Sequence, residues 1–169
     1  MNFIIRNAIK ADWVEIKQIY EAGISTGLAT FETIAPTTYE QWILNASPEC
    51  TLIAQAENKI LGWCKITPIS SRLAYVGVGE VSVYVHPEAQ GKGVGNLLLK
   101  NLITLSEEKG FWTLQASIFS ENNNSIYLHK KNGFREVGIR EKIGKLNGKW
   151  RDSVLLEKRS NLVGLEGDF

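Results

Sequence analysis

Residues 90–96, QGKGVGN, place three glycines at alternate positions between a strand-like run, VSVYV, and a run of leucines. No other stretch narrows the fold as much. Glycine lets successive amides turn toward one point without a side chain in the way, and the first turn of a helix carries N–H groups with no intrahelical partner. A strand that runs through such a turn into a helix makes a place for phosphate, and Lys92 adds a nearby cation. The helix follows from Leu97, Leu98, Leu99, Leu102, Ile103 and Leu105, which recur at helical spacing between Gly93 and Lys109. Two common nucleotide loops do not fit. There is no GxxxxGK followed by Ser or Thr, and GKGVG is not GxGxxG, so mononucleotide hydrolysis and nicotinamide binding both lose ground.

Around this turn the chain alternates element types. FIIRNA reads as a strand, and Asp12 with Glu15 forms a capping-box signature for a helix whose apolar face includes Val14, Ile16, Ile19, Tyr20 and Ile24. The loop STGLATFETIAPT sets Phe31 beside Glu32, and Thr37 with Glu40 gives a second capping box ahead of a short helix. TLIAQA and ILGWCKITPI flank ENK as a hairpin, and AYVGVGEVSVYV is a strand whose Gly77 and Gly79 signal a bend, a bulge or close contact with another chain. FWTLQASIF predicts a strand, SIYLHKKNG a short helix ended by Gly133, FREVGIREK a strand, and Asn147-Gly148 a tight hairpin turn. This order predicts an α/β fold: one mixed central sheet flanked by helices, with no interdomain linker.

The 169 residues suit one domain, drawn here as 1–157 with a C-terminal tail at 158–169. A formal charge of +1 supplies no whole-protein field toward nucleic acid or anionic lipid. No run of eighteen or more apolar residues appears, so a cytoplasmic protein is expected. Cys50 and Cys64 lack CxxC spacing and read as packing residues; His86 precedes Pro87 and reads as structural, and His86 with His129 makes no metal spacing. No metal is expected.

QGKGVG also resembles the pyrophosphate motif of the GCN5-related N-acetyltransferase (GNAT) superfamily, glutamine or arginine followed by xxGxG or xxGxA, through Gln90, Gly93 and Gly95. The resemblance implies acetyl-CoA as cosubstrate, its pyrophosphate meeting the amides of Gln90, Gly91, Lys92, Gly93, Val94, Gly95 and Asn96. It implies backbone contacts from Val83 and Val85 to the pantetheine arm. A second match is ENNNSIYLHKKNGF, with Asn124, Ser125, Gly133 and Phe134 in the family's order, the first two as cofactor contacts. Where many relatives carry a tyrosine near the cofactor sulfur, this chain has His129, with Tyr127 close by. TFET, EVSVYVHPEAQGKGVG and NNNSIYLHKKNGF together look like the phosphinothricin acetyltransferase branch, over residues 3–157.

That branch resemblance implies an N-acetyltransferase acting on a small amino acid or analogue such as phosphinothricin, methionine sulfoximine or methionine sulfone, by direct attack in a ternary complex. Glu80 is the expected general base, taking the ammonium proton directly or through water, and His129 is expected to serve the departing thiolate. A backbone N–H near Val83 would polarise the acetyl carbonyl. Phe31, Glu32, Arg72, Tyr75 and Tyr84 are the expected acceptor contacts, with Arg72 meeting a carboxylate. A homodimer is expected, with no nucleic-acid partner. The alternatives are a protein or tRNA N-acetyltransferase and a noncatalytic acyl-CoA-binding module, which would have no need of Glu80.

Overall fold

The structure, a computed structural model, describes residues 2–167, so the last two residues of the expected tail lie outside it. In chain order the elements are β1 (Ile4–Asn7), α1 (Trp13–Ser25), α2 (Tyr39–Ile43), β2 (Thr51–Ala56), β3 (Lys59–Pro68), β4 (Val78–Val85), α3 (Val94–Glu108), β5 (Thr113–Phe119), α4 (Asn123–Lys131), β6 (Arg135–Leu146) and β7 (Lys149–Arg159). They form a seven-stranded sheet in the order β1-β2-β3-β4-β5-β7-β6. Every neighbouring pair is antiparallel except β4 with β5, whose connection runs through α3. The expected mixed central sheet flanked by helices is what the chain forms.

Both tight hairpins have the backbone their residues favour. Glu57 and Asn58 connect β2 to β3, and Asn147 and Gly148 connect β6 to β7, all four with positive φ, as a two-residue turn matched to sheet twist requires. Side chains alternate across the strands, so β2 and β3 serve two cores. Leu52, Ala54, Leu61, Cys64 and Ile66 face α3, which buries Val94, Leu98, Leu99 and Leu102 against them. Ile53, Ile60 and Trp63 face the other way, against Ile16 and Ile19 of α1 and Trp42 of α2. Cys50 and Cys64 are free and fully buried, and burial pushes both thiols up, away from a reactive thiolate.

Several local expectations shift. The expected Asp12–Glu15 box does not form: Asp12 accepts from Ile9 N at 2.8 Å and pairs with the Arg6 guanidinium, while Glu15 reaches across to accept from Ile60 N at 2.9 Å. The α2 cap moves one residue, from Thr37 to Thr38, whose hydroxyl accepts from Gln41 N, and Glu40 instead pairs with Lys10. β4 begins at Val78 rather than Ala74, because Leu73–Tyr75 forms a 3-10 turn. Gly77 and Gly79 are explained by contact within the chain: an added Cβ would lie 2.1 Å from the Trp112 ring and 2.3 Å from Ile66 Cγ2. β7 runs to Arg159, whose guanidinium donates to the carbonyls of Trp112, Ser160, Val163 and Gly164, fixing the following residues against the start of β5. Among the described residues no helix is long and apolar enough to cross a membrane.

Candidate active site

The parallel pairing of β4 with β5 covers only Val78–Glu80 against Thr113–Gln115. Beyond it β5 stays with β7 through Phe119, while β4 stays with β3 through Val85. The two strands therefore splay, and from Val81 onward the β5-facing edge of β4 has no ladder partner. A cavity of about 340 Å³ fills the opening, lined by both strands, by the loop after α1 and by α4. From Glu80 to Val85 this leaves about 17 Å of strand edge, at roughly 3.4 Å per residue.

The glycine turn lies where that edge ends. His86 caps a 3-10 turn at Pro87–Ala89, its Nδ1 accepting from Glu88 N at 3.2 Å, which is the structural role read from sequence. Gly91 and Gly93 then take φ of +73° and +82°, with open space where a Cβ would stand. Leu97 N is bonded to Gly93 O at 3.0 Å, so the amides of Val94, Gly95 and Asn96 precede the first full α-helical bond and have no carbonyl four residues back within α3. Gly95 has a different reason to be glycine: an added Cβ would meet Leu128 and Val85 at 3.3 Å. The Asn96 side chain is committed to α4, accepting from Asn132 Nδ2 at 3.0 Å.

Glu80 sits at the fork of the splay, accepting from Gln115 Nε2 at 2.9 Å and Ser117 Oγ at 3.4 Å. Ser82 and Tyr84, two and four residues on, share its face, which is the face of α1 and α2. Tyr84 stacks on Trp63 with ring centroids 4.4 Å apart, and burial pushes its hydroxyl well above the usual phenol range. The loop after α1 closes over this wall. Phe31 meets Phe119 edge-on at 4.6 Å, Arg151 donates to Gly27 O at 2.9 Å, and Asn122 Nδ2 donates to Leu28 O at 3.1 Å.

The structure thus brings Glu80, Val83, Phe31, Glu32, Tyr84, Ser125 and His129 to one cavity. It does not bring Arg72 or Tyr75 there. These stack on each other, 5.3 Å from guanidinium to ring, in the β3–β4 connection, before β4 reaches the fork. Asn124 is not among the lining residues either. Asn122 is, and its Oδ1 caps α4 by accepting from Ser125 N at 3.2 Å.

His129 is buried against Phe134, and its Nδ1 lies 2.7 Å from the Ser125 carbonyl. A carbonyl only accepts, so Nδ1 carries a proton; burial lowers the ring's basicity, and the neutral tautomer then presents Nε2 as a lone pair. In that tautomer Nε2 is an acceptor, and a proton for a departing thiolate would require the imidazolium. Tyr127 is 68% exposed and lines no part of the cavity.

Sequence reasoning missed Lys65. It occupies β3 between Thr51 and Ser82, on the same face as Trp63, and lines the cavity. The available signal was one charge amid the otherwise apolar run ILGWCKI.

The Acetyltransferase (GNAT) family model matches residues 13–134. The chain is 34% identical over 156 residues to a phosphinothricin N-acetyltransferase of Alcaligenes faecalis, covering 89% of this chain and 79% of that protein. It is 31% identical over 159 residues to an L-methionine sulfoximine/L-methionine sulfone acetyltransferase of Salmonella typhimurium, covering 90% and 92%. A solved GNAT superfamily phosphinothricin acetyltransferase from Sinorhizobium meliloti, in complex with AcCoA, superposes with a TM-score of 0.87 at 28% identity, covering 99% of this chain and 95% of that one. The protein belongs to the GNAT acetyltransferase family.

Proposed function

We propose that the protein transfers the acetyl group of acetyl-CoA to the amine of a small amino acid or analogue, of the kind represented by phosphinothricin, methionine sulfoximine and methionine sulfone. The observation that carries this reading is the splay itself. One continuous strand, β4, links a carboxylate at the fork, Glu80, to a turn whose amides suit a pyrophosphate, with an unpaired edge between them.

The residues fit acetyl-CoA on that geometry. Gly91 and Gly93 leave open space where side chains would block an approach, and the first-turn amides of α3, with Lys92 beside them, are donors for an anion. Val83 and Val85 offer backbone groups to an amide-bearing arm. Acetyl-CoA supplies the thioester on which the amine acts.

An amino acid arrives mainly as an ammonium, and its nitrogen attacks only after losing a proton. Glu80 takes that proton, directly or through one water, while Gln115 and Ser117 hold the carboxylate toward the cavity. A C–N bond forms as the C–S bond breaks, a backbone N–H near Val83 supports the developing oxyanion, and the sulfur leaves as a thiolate that takes its proton from solvent. His129 contributes as an acceptor and as a buttress of the first turn of α4. Phe31 and Glu32, on the covering loop, bound the acceptor. Coenzyme A thiol release, measured with acetyl-CoA across amino acids, methionine sulfone, methionine sulfoximine and phosphinothricin, tests the reading. Acceptor-dependent release with one acetyl added by mass supports it; saturable acetyl-CoA binding with no turnover on the panel overturns the acceptor class.

A further inference from the structure

A second cavity, about 480 Å³, lies between α2, β3 and residues 34–36, and shares Tyr20, Glu32 and Lys65 with the cavity at the fork. Among the described residues that line either space, Lys65 is the one that carries an amine. It lies opposite Ser82 in the β3–β4 ladder, between Trp63 opposite Tyr84 and Thr67 opposite Glu80. Residues directly opposite each other in a ladder share a face, so its stem starts on the face of Glu80, beside the peptide that leads into Val83. Its Nζ donates to the Trp42 carbonyl at 2.6 Å and lies 4.9 Å and 6.0 Å from the Trp42 and Trp63 ring centroids. One hydrogen bond tethers it.

We propose that Lys65 is a self-acetylation site: with acetyl-CoA bound and no acceptor present, its Nζ attacks the thioester and becomes the acetyl amide. This rests on the reading of the fork as the place where acetyl-CoA meets an amine. The lysine takes the acceptor's part in the same reaction. An Nζ–C bond forms as the C–S bond breaks, the sulfur leaves as the coenzyme A thiolate, and the proton lost from Nζ passes to Glu80 or to water. The four-carbon stem is flexible, so Nζ can turn from the second cavity, where the Trp42 carbonyl holds it, into the first, which the same residue lines. Attack needs a neutral amine. Burial lowers the Lys65 ammonium to about 8, with no nearby carboxylate acting to raise it, so near neutral pH it is neutral far more often than a solvated lysine. Once acetyl-CoA is bound, the attack is also intramolecular. The product is an uncharged and longer side chain standing in the space the acceptor would occupy, which couples a surplus of acetyl-CoA over acceptor to closure of the acceptor cavity.

The test incubates the full chain with isotope-labelled acetyl-CoA and no acceptor, and follows the label by intact mass and peptide mapping in the wild type and in Lys65→Arg, with folding checked by thermal unfolding. Label is expected at Lys65 at least about tenfold faster than at an exposed lysine such as Lys149, approaching one acetyl group per chain. Unlabelled coenzyme A in large excess, which competes for the same cradle and brings no acetyl group, should suppress this phase in the wild type and leave Lys149 unaffected. Lys65→Arg should lack the phase. Label at Lys65 no faster than at Lys149, or indifferent to coenzyme A, is ordinary acetylation from solution and overturns the proposal, as does an unlabelled Lys65 or a fast phase that persists in Lys65→Arg. Turnover on the acceptor panel is measured separately. Turnover with an unlabelled Lys65 keeps the acetyltransferase reading and removes this proposal; a labelled Lys65 that coenzyme A suppresses, with no turnover on the panel, upholds the proposal and shows that the acceptor class is what failed.

Discussion

The two ends of the splay are made of different material. At the α3 end the surface offered to a ligand is backbone: left-handed turns at Gly91 and Gly93 and the first amides of a helix. At the fork it is side chain: Glu80 from β4, Lys65 from β3, Phe31 and Glu32 from a loop, His129 from α4. A backbone surface is a product of local sequence, because a few consecutive residues set it. A side-chain surface depends on register, on strand face and on which distant segment folds over it. The first suits a ligand common to a whole family; the second can be altered one residue at a time without disturbing the first.

Substitution at Glu80 gives the sharpest test of that division. Glu80→Gln keeps the size of the side chain and an acceptor for the Gln115 amide, and removes only the base. It is expected to lower kcat about 10²- to 10⁴-fold while acetyl-CoA KM moves less than about twofold. Steady-state kinetics with both substrates varied checks it, and a parallel loss of acetyl-CoA affinity would break the division.

At the other end a backbone change should outweigh a charge change. Gly93→Ala places a Cβ on a residue at φ +82°, a strain of about 1–2 kcal/mol, so acetyl-CoA KM should rise about 5- to 30-fold. Lys92→Ala removes an exposed cation from the same turn and should cost about threefold or less. Titrations of acetyl-CoA against the two variants check the order, and the reverse order would mean that charge, not the turn, makes the cradle.

Asn122 ties the halves together, capping α4 with Oδ1 and holding the Leu28 carbonyl of the acceptor loop with Nδ2. Asn122→Ala is expected to cost about 1 kcal/mol of stability in denaturant unfolding. Because the loop carries Phe31 and Glu32, acceptor KM should rise a few-fold and acetyl-CoA KM should not.

The same division explains what was legible in the sequence. The glycine turn, the α3 leucine pattern and both two-residue hairpins lie in short stretches whose chemistry is local. Lys65 was hidden because its meaning comes from pairing: Trp42 supplies its carbonyl from 23 residues away and Ser82 lies opposite it in the sheet. Arg72 lies outside the cavity lining because the 3-10 turn at Leu73–Tyr75 delays the start of β4. Asp12 and Glu15 have the spacing of a capping box, but Arg6 and the amide of Ile60 are better partners and come from other strands. Tertiary contacts overrode local pattern at Lys65 and Glu15.

The smallest effect is expected at His129, on the α4 side of the fork. Its surroundings are the Ser125 carbonyl and the Phe134 ring, neither of which titrates, and burial alone lowers its basicity. In the unfolded chain the ring takes a proton near pH 6.5, and in the fold only at lower pH. Below about pH 6.5 the unfolded state therefore binds more protons, and the stability this ring contributes, present above that pH, is lost as the pH falls toward its folded value. Asp12 also acts in the acid direction, but its carboxyl, held below the usual range by Arg6, gives way only below about pH 4. Urea unfolding at pH 7.5 and 5.5 isolates the histidine. The wild type should lose stability between the two, and His129→Phe, which keeps an aromatic ring beside Phe134, should lose less, by no more than about 1.4 kcal/mol. An equal loss in both proteins would mean that the ring is already charged in the fold, with the Ser125 carbonyl, which favours the proton, outweighing the burial that opposes it.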